Sequence, residues 1–146
     1  MSFQIKFTNN TAIIVEEGGG PIMVGEIRMG DFVEKFESPL DFWTKEDYQA
    51  QWKNALIYIT SQGSKSCLIT SIYNPKTSNF LRWWVLYRIE NDVIFQDQIF
   101  FLNLSKSFDL RDPYKSIPDY RNVNPEGKRI SEWLISIEEI TKFLNQ

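Results

Sequence analysis

The chain has 146 residues, of which 42% are hydrophobic and 15% aromatic, and its formal net charge is −3. This length and apolar content suffice for one hydrophobic core and exclude disorder as a description of the whole chain. The absence of histidine and the single cysteine exclude Ser-His-Asp and Cys-His nucleophile pairs, zinc sites built on histidine and an internal disulfide.

The first forty residues predict four short strands joined by turns. Phe3, Ile5 and Phe7 alternate with polar residues, which is the pattern of a half-buried strand. Turn-forming residues separate three further predicted strands, at residues 11–16, 22–28 and 32–37. We expect these four strands to pair as an antiparallel meander.

A helix is predicted after these strands. Thr44, with Asp47 three residues later, has the pattern of a capped helix start. Apolar residues at helical spacing predict its buried face: Tyr48, Trp52, Ala55, Leu56 and Ile59. The segment Gln62-Gly63-Ser64 predicts the end of the helix.

The second half of the chain predicts the same order of elements. Strands are expected at residues 67–73, 80–89 and 93–102, and the last two carry apolar residues on both faces. Residues 103–127 have no clear period and predict a long loop. A second cap pattern, Ser136 with Glu139, divides the end into a strand at 129–135 and a short helix. The prediction is one α+β domain over residues 1–146, with two units of four antiparallel strands and a helix.

Paired carboxylates are the remaining enzymatic possibility, because glycosidases work with two acidic residues. Candidate pairs are Glu16 with Glu17, Glu138 with Glu139, and Asp109 with Asp112. Consecutive strand residues face opposite sides, which disfavours Glu16 with Glu17, and Glu139 is already assigned to a helix cap. The sequence therefore favours a binding protein without catalytic residues, metal ion or cofactor.

Aromatic residues of the two long strands offer a second possibility, a platform on which nucleic-acid bases stack. These residues are Trp83, Trp84, Tyr87, Phe95, Phe100 and Phe101. Such a platform also needs a basic groove, and only Arg82 and Arg88 lie nearby in the sequence. We interpret the aromatic residues as core, and single-stranded nucleic-acid binding stays the alternative function.

The long loop is the candidate protein-binding surface. Tyrosine is enriched in protein interfaces, and exposed acids steer the approach of a basic partner. The loop residues with these properties are Asp109, Asp112, Tyr114, Asp119 and Tyr120. Basic residues are mixed among them, so an ordinary solvated loop is the other interpretation.

Several segments resemble the immunity proteins of bacterial contact-dependent growth inhibition. In the predicted helix the resemblance rests on Trp43, Asp47-Tyr48, Gln51-Trp52 and Ala55-Leu56. It continues in Trp83-Trp84-Val85-Leu86-Tyr87-Arg88, Gln96-Asp97-Gln98-Ile99-Phe100-Phe101-Leu102 and Ile130-Ser131-Glu132-Trp133, and ends with Ile140 and Phe143-Leu144. The first forty residues match only in being rich in strands.

The resemblance implies a Whirly-like fold and a cytosolic antitoxin that binds the toxic C-terminal domain delivered by a neighbouring cell. Binding is stoichiometric and without catalysis in this family, and one member's toxin is a nuclease that cuts ribosomal RNA. A basic nuclease domain is thus the expected partner, with the five loop residues as contacts and Glu16 and Glu17 as a second acidic patch. A cytoplasmic location also fits the start of the chain, which lacks the pattern of a signal peptide.

Overall fold

The computed structural model describes residues 2–14, 20–104 and 108–146. Within these residues the fold is α+β, with two four-stranded antiparallel sheets and two α-helices, as predicted. In chain order the elements are β1 (Phe3–Phe7), β2 (Ile13–Ile14), β3 (Pro21–Met29), β4 (Phe32–Pro39), α1 (Lys45–Ser61), β5 (Lys65–Ser71), β6 (Phe80–Ile89), β7 (Asp92–Phe101), β8 (Glu132–Ser136) and α2 (Ile137–Leu144). Short 3-10 turns lie at Leu102–Leu104 and Pro113–Ser116.

The first sheet is organised around β3. Strand β4 pairs with one side of β3, while β1 and β2 pair with the other side, one after the other. The expected meander was therefore wrong, because β1 and β2 share an edge of β3 instead of pairing together. The chain does not reverse at Asn9: Thr8 N donates to Val24 O at 2.8 Å, and Asn9 Oδ1 accepts from Val24 N at 3.3 Å. The segment after β1 thus continues along the same edge.

The second sheet has the order β5-β6-β7-β8. Strands β6 and β7 form a long hairpin whose pairing runs from Ile89 with Asp92 to Phe80 with Phe101. Strand β8 is shorter and pairs only with the first half of β7, from Asp92 to Gln96. Among the residues that the structure describes, the second half of β7 therefore has a neighbouring strand on one side only.

Helix α1 begins after the predicted cap residue, and its predicted face is buried. Thr44 Oγ1 accepts from Asp47 N, and Asp47 Oδ2 accepts from Thr44 N, so the capping box is closed on both sides. The five residues expected on its inner face are all buried. The cap stabilises the helix start because it satisfies backbone donors that have no partner inside the helix.

Replacing Thr44 by alanine is expected to lower the free energy of unfolding by about 1 kcal/mol, since the side-chain half of the capping box is lost. Chemical denaturation followed by circular dichroism measures this change. A Thr44→Ser variant keeps the hydroxyl and should unfold close to the parent protein. Equal losses in both variants would show that the cap bond contributes little.

Side chains of α1 take the place of a neighbouring strand along β5. The Gln51 amide donates to Cys67 O at 2.7 Å and accepts from Ile69 N at 2.8 Å. Trp52 Nε1 donates to Ile69 O at 2.7 Å. These bonds satisfy backbone groups at an edge that would otherwise be open to another chain. Cys67 is buried beside them, and burial raises the pKa of its thiol.

The aromatic residues of the long hairpin are mainly core, as interpreted from the sequence. Trp83, Trp84, Tyr87 and Phe95 are buried, and Phe100 is half-buried. Phe101 differs, since half of its surface is exposed. The buried rings cannot serve as a stacking platform for nucleic-acid bases. None of the helices described by the structure is long and apolar enough to cross a membrane.

Candidate functional site

The first group of predicted contact residues lies on one turn of the long loop. Asp112 N donates to Asp109 O at 3.0 Å, which brings the two aspartates together. Asp109 Oδ1 accepts from the backbone N of Arg111 at 2.9 Å and from its Nε at 3.3 Å, and these bonds lower the pKa of Asp109. Asp112 forms an ion pair with Lys115 at 3.5 Å. Each carboxylate of this turn therefore has a basic neighbour.

Tyr114 fixes this turn against helix α1. Its ring stacks on Tyr58 with centroids 4.8 Å apart and an angle of 6° between the planes. Burial is the main cause that raises the pKa of Tyr114 to about 12. The ring is half-buried, so its structural role leaves only part of its surface for a partner.

Asp119 and Tyr120 form a second group, which contacts the second sheet. Asp119 Oδ1 accepts from Lys65 Nζ at 2.8 Å, and this bond lowers the pKa of Asp119. The Tyr120 hydroxyl donates to the Glu132 carboxylate at 2.9 Å, and its ring packs edge-on against Tyr87. Asp119 is exposed, while Tyr120 is 41% exposed.

Buried polar groups of the second sheet hold the backbone around this second group. The Tyr87 hydroxyl donates to Pro118 O at 3.0 Å. Gln96 is fully buried, and its amide donates to Arg121 O at 2.9 Å and to Glu132 Oε2 at 3.0 Å. The loop therefore presents Asp119 and Tyr120 from a backbone that is anchored on both sides, as a preorganised binding surface requires.

The two groups of loop residues remain predicted contacts. The negative field around them is weaker than the sequence suggested. All three aspartates pair with a basic residue of the same chain, which reduces the field available to steer a partner. Exposed pairs of this kind are weak, so arginine or lysine of a partner can replace the internal base at small cost. Glu16 and Glu17, the predicted second patch, lie outside the described residues.

A second acidic site lies between the two sheets and was missed by the sequence analysis. Glu34 of β4 and Asp97 of β7 line a cleft of about 370 Å³ together with Arg82 and Trp84. Desolvation by burial is the main cause that raises the pKa of both carboxyls. The charge of Asp97 raises the pKa of Glu34 further, whereas Arg82 opposes the rise at both carboxyls. Among the described residues neither carboxylate has an ion-pair partner within 4.0 Å.

Of the candidate enzymatic pairs, the two that the structure describes form ion pairs with basic residues, unlike the carboxylates of this cleft. Glu138 and Glu139 both pair with Lys142 on the surface of α2, at 3.7 and 3.4 Å. Asp109 and Asp112 are paired with bases as described above. In the part of the chain that the structure describes, no group of three or more acidic or cysteine side chains is placed to hold a metal ion.

The raised pKa values predict a pH-dependent gain in stability when Glu34 is replaced by a neutral residue. The folded protein binds the protons of Glu34 and Asp97 more tightly than the unfolded chain, so their ionisation costs stability. A Glu34→Gln variant should raise the free energy of unfolding at neutral pH by less than about 1 kcal/mol, because the site is partly solvated.

This gain should shrink as pH falls to about 4, where the parent carboxyl is itself protonated. Thermal unfolding across this pH range measures the effect, with the exposed Glu126→Gln as the matched control. A gain that persists unchanged at low pH would contradict the electrostatic cause.

Comparisons with known proteins give matches along most of the chain. A family model described as the CdiI N-terminal domain matches residues 38–143. The immunity protein CdiI of Enterobacter cloacae subsp. cloacae is 29% identical over 125 residues, which is 86% of each chain. A chain of the solved CdiA-CT/CdiI toxin and immunity complex from Enterobacter cloacae superposes with a TM-score of 0.86, at 28% identity, and the match covers 98% of this chain and 96% of that one.

Proposed function

Since this chain belongs to the CdiI family of contact-dependent growth inhibition immunity proteins, we propose that it binds and neutralises the toxic C-terminal domain of a cognate CdiA protein. The observation that carries this proposal is the structural match to a toxin and immunity complex over nearly the whole chain. Immunity proteins of this type inhibit toxins and are not enzymes. The proposed mechanism is therefore stoichiometric binding by the whole chain, residues 1–146, acting as one domain.

We propose that the contact surface includes Asp109, Asp112, Tyr114, Asp119 and Tyr120, with Glu16 and Glu17 as a further acidic patch. For the five loop residues, support comes from their place on a loop that is anchored by Tyr58, Tyr87 and Gln96. An anchored loop loses little conformational entropy on binding. Tyr114 and Tyr120 supply aromatic surface of the kind that carries binding energy at interfaces.

We further propose that the toxin domain is a nuclease, in particular a ribonuclease that acts on ribosomal RNA. A nuclease recognises phosphate with lysine and arginine, and these groups suit an inhibitor with a net charge of −3. Carboxylates on the inhibitor would compete with phosphate for the same basic groups. The buried state of Trp83, Trp84 and Phe95 argues against the alternative, binding of single-stranded nucleic acid by the immunity protein itself.

Survival of bacteria that express the toxin domain encoded immediately upstream of this gene tests the proposal. Cells that also produce this chain should survive, and an immunity protein of another toxin, produced at the same level, should not rescue them. Recovery of growth only with this chain supports a cognate pair. Loss of growth in both strains at equal protein levels would contradict the proposed function.

A further inference from the structure

The second half of β7 forms an open sheet edge. On one side the whole of β7 pairs with β6, but on the other side β8 ends at Glu132, opposite Gln96. Within the described part of the chain, no strand lies beside Asp97 to Phe101 on that side. An edge of this kind offers backbone donors and acceptors to another chain.

The direction of these backbone groups follows from the hydrogen bonds at both ends of β7. Ile137 N donates to Asn91 O on the β8 side, and Leu102 N donates to Asn79 O on the β6 side. Hydrogen-bonding directions alternate along an antiparallel strand. The N–H and C=O groups of Asp97, Ile99 and Phe101 therefore point to the open side, and those of Gln98 and Phe100 point to β6.

Apolar side chains accompany this open edge. Ile99 is 44% exposed and Phe101 50% exposed, and Phe80, which pairs with Phe101 across the hairpin, is 44% exposed. Paired residues of neighbouring strands lie on the same face of a sheet. The open edge thus borders three exposed apolar side chains, a combination that suits an extended peptide segment.

The groove next to the edge has two acidic residues and one basic residue, and this excess of negative charge favours a basic segment. Glu34, Asp97 and Arg121 line a groove of about 660 Å³ beside Ile99, and the same two carboxylates face Arg82 in the neighbouring cleft. Neither carboxylate has an ion-pair partner within 4.0 Å among the described residues. A lysine or arginine placed in the groove would supply that partner.

We propose that an extended segment of the cognate toxin domain adds as a strand to the open edge of β7 at Asp97–Phe101 and places a basic side chain between Glu34 and Asp97. This inference rests on the proposed function and specifies how the partner is held. Backbone bonds to Ile99 and Phe101 give the segment its register, and Phe80 and Phe101 cover its apolar side chains. The acidic pair makes a basic toxin segment a better occupant than a second copy of this acidic chain.

Amide hydrogen exchange of the unmodified protein, free and in complex with the purified toxin domain, tests the strand addition. The amides of Ile99 and Phe101 should exchange at least about 100-fold more slowly in the complex, because they gain strand bonds. The Phe100 amide points to β6 and should be protected in both states. Equal exchange of the Ile99 and Phe101 amides in the free protein and the complex would overturn the proposal.

An Ile99→Lys variant gives an independent test, since a lysine on the edge blocks strand pairing. Its affinity for the toxin domain, measured by calorimetry, should fall by about tenfold or more. Leu134→Lys replaces an apolar residue of comparable exposure on β8 and should leave the affinity unchanged.

Three outcomes of the affinity measurement are informative. Wild-type affinity in a folded Ile99→Lys variant overturns the proposed strand addition but leaves the proposed function in place. Failure of the parent chain to bind the toxin domain instead contradicts the proposed function. An edge that joins two copies would appear as a dimer of the free chain that Ile99→Lys converts to monomer without changing the toxin affinity, and this result also overturns the proposal.

Discussion

Replacement of Trp52 by alanine is expected to lower the free energy of unfolding by about 3–5 kcal/mol, the range typical of a large buried aromatic residue. Trp52 is only 3% exposed and joins helix α1 to both sheets. Its ring lies 4.8 Å from that of Phe7 and 5.7 Å from that of Phe36, while its Nε1 donates to Ile69 O. Alanine removes these contacts and leaves the Ile69 carbonyl without this donor.

Denaturant unfolding of the purified variant measures this loss. A Trp52→Phe variant keeps most of the packing but not the hydrogen bond, and it should lose about 1–3 kcal/mol. Ile57→Ala, at an exposed position of the same helix, should change stability by less than about 0.5 kcal/mol. A loss below about 1 kcal/mol for Trp52→Ala would contradict the role of this residue as the link between helix and sheets.

Reversing the charges of Asp109, Asp112 and Asp119 together to lysine is expected to weaken toxin binding by about 30-fold or more and to abolish protection in cells. Each change removes a carboxylate proposed to meet the partner and introduces a charge that repels its basic groups. The internal bases Arg111, Lys115 and Lys65 are left without their acids, which adds to the positive field of the surface.

A matched control carries the same change in net charge at other exposed acids, Asp31→Lys, Glu46→Lys and Glu90→Lys. Calorimetry and cell survival compare the two triple variants. The control should retain most of the affinity, because its charges lie outside the proposed contact loop. Full protection by the Asp109, Asp112 and Asp119 variant at normal protein levels would show that the loop is not the contact surface.

Local signals in the sequence were sufficient for the helices and the long hairpin. The capping box at Thr44 and the spacing from Tyr48 to Ile59 define α1, and both depend on residues close in sequence. Ser136 likewise caps α2, since its side chain accepts from Glu139 N. The alternating pattern around a short turn was enough to place β6 and β7, because their pairing is between neighbours in the chain.

Features that depend on distant residues were not predictable in the same way. The turn-forming Asn9 does not reveal whether the next strand pairs with β1 or continues along β3, and the meander was wrong for this reason. Glu34 and Asp97 come from different sheets, so nothing in either segment indicates a shared cleft. The bond between Lys65 and Asp119 joins residues separated by 54 positions, which explains why the loop appeared more acidic than it is.

Titration of the purified toxin domain with this chain would test neutralisation by stoichiometric binding, with cleavage of ribosomal RNA as the first activity to assay. Stoichiometric binding requires that toxin activity falls linearly and ends at one equivalent of immunity protein, with a single complex of both chains on gel filtration. Full toxin activity in the presence of excess folded immunity protein, with no complex formed, would contradict it.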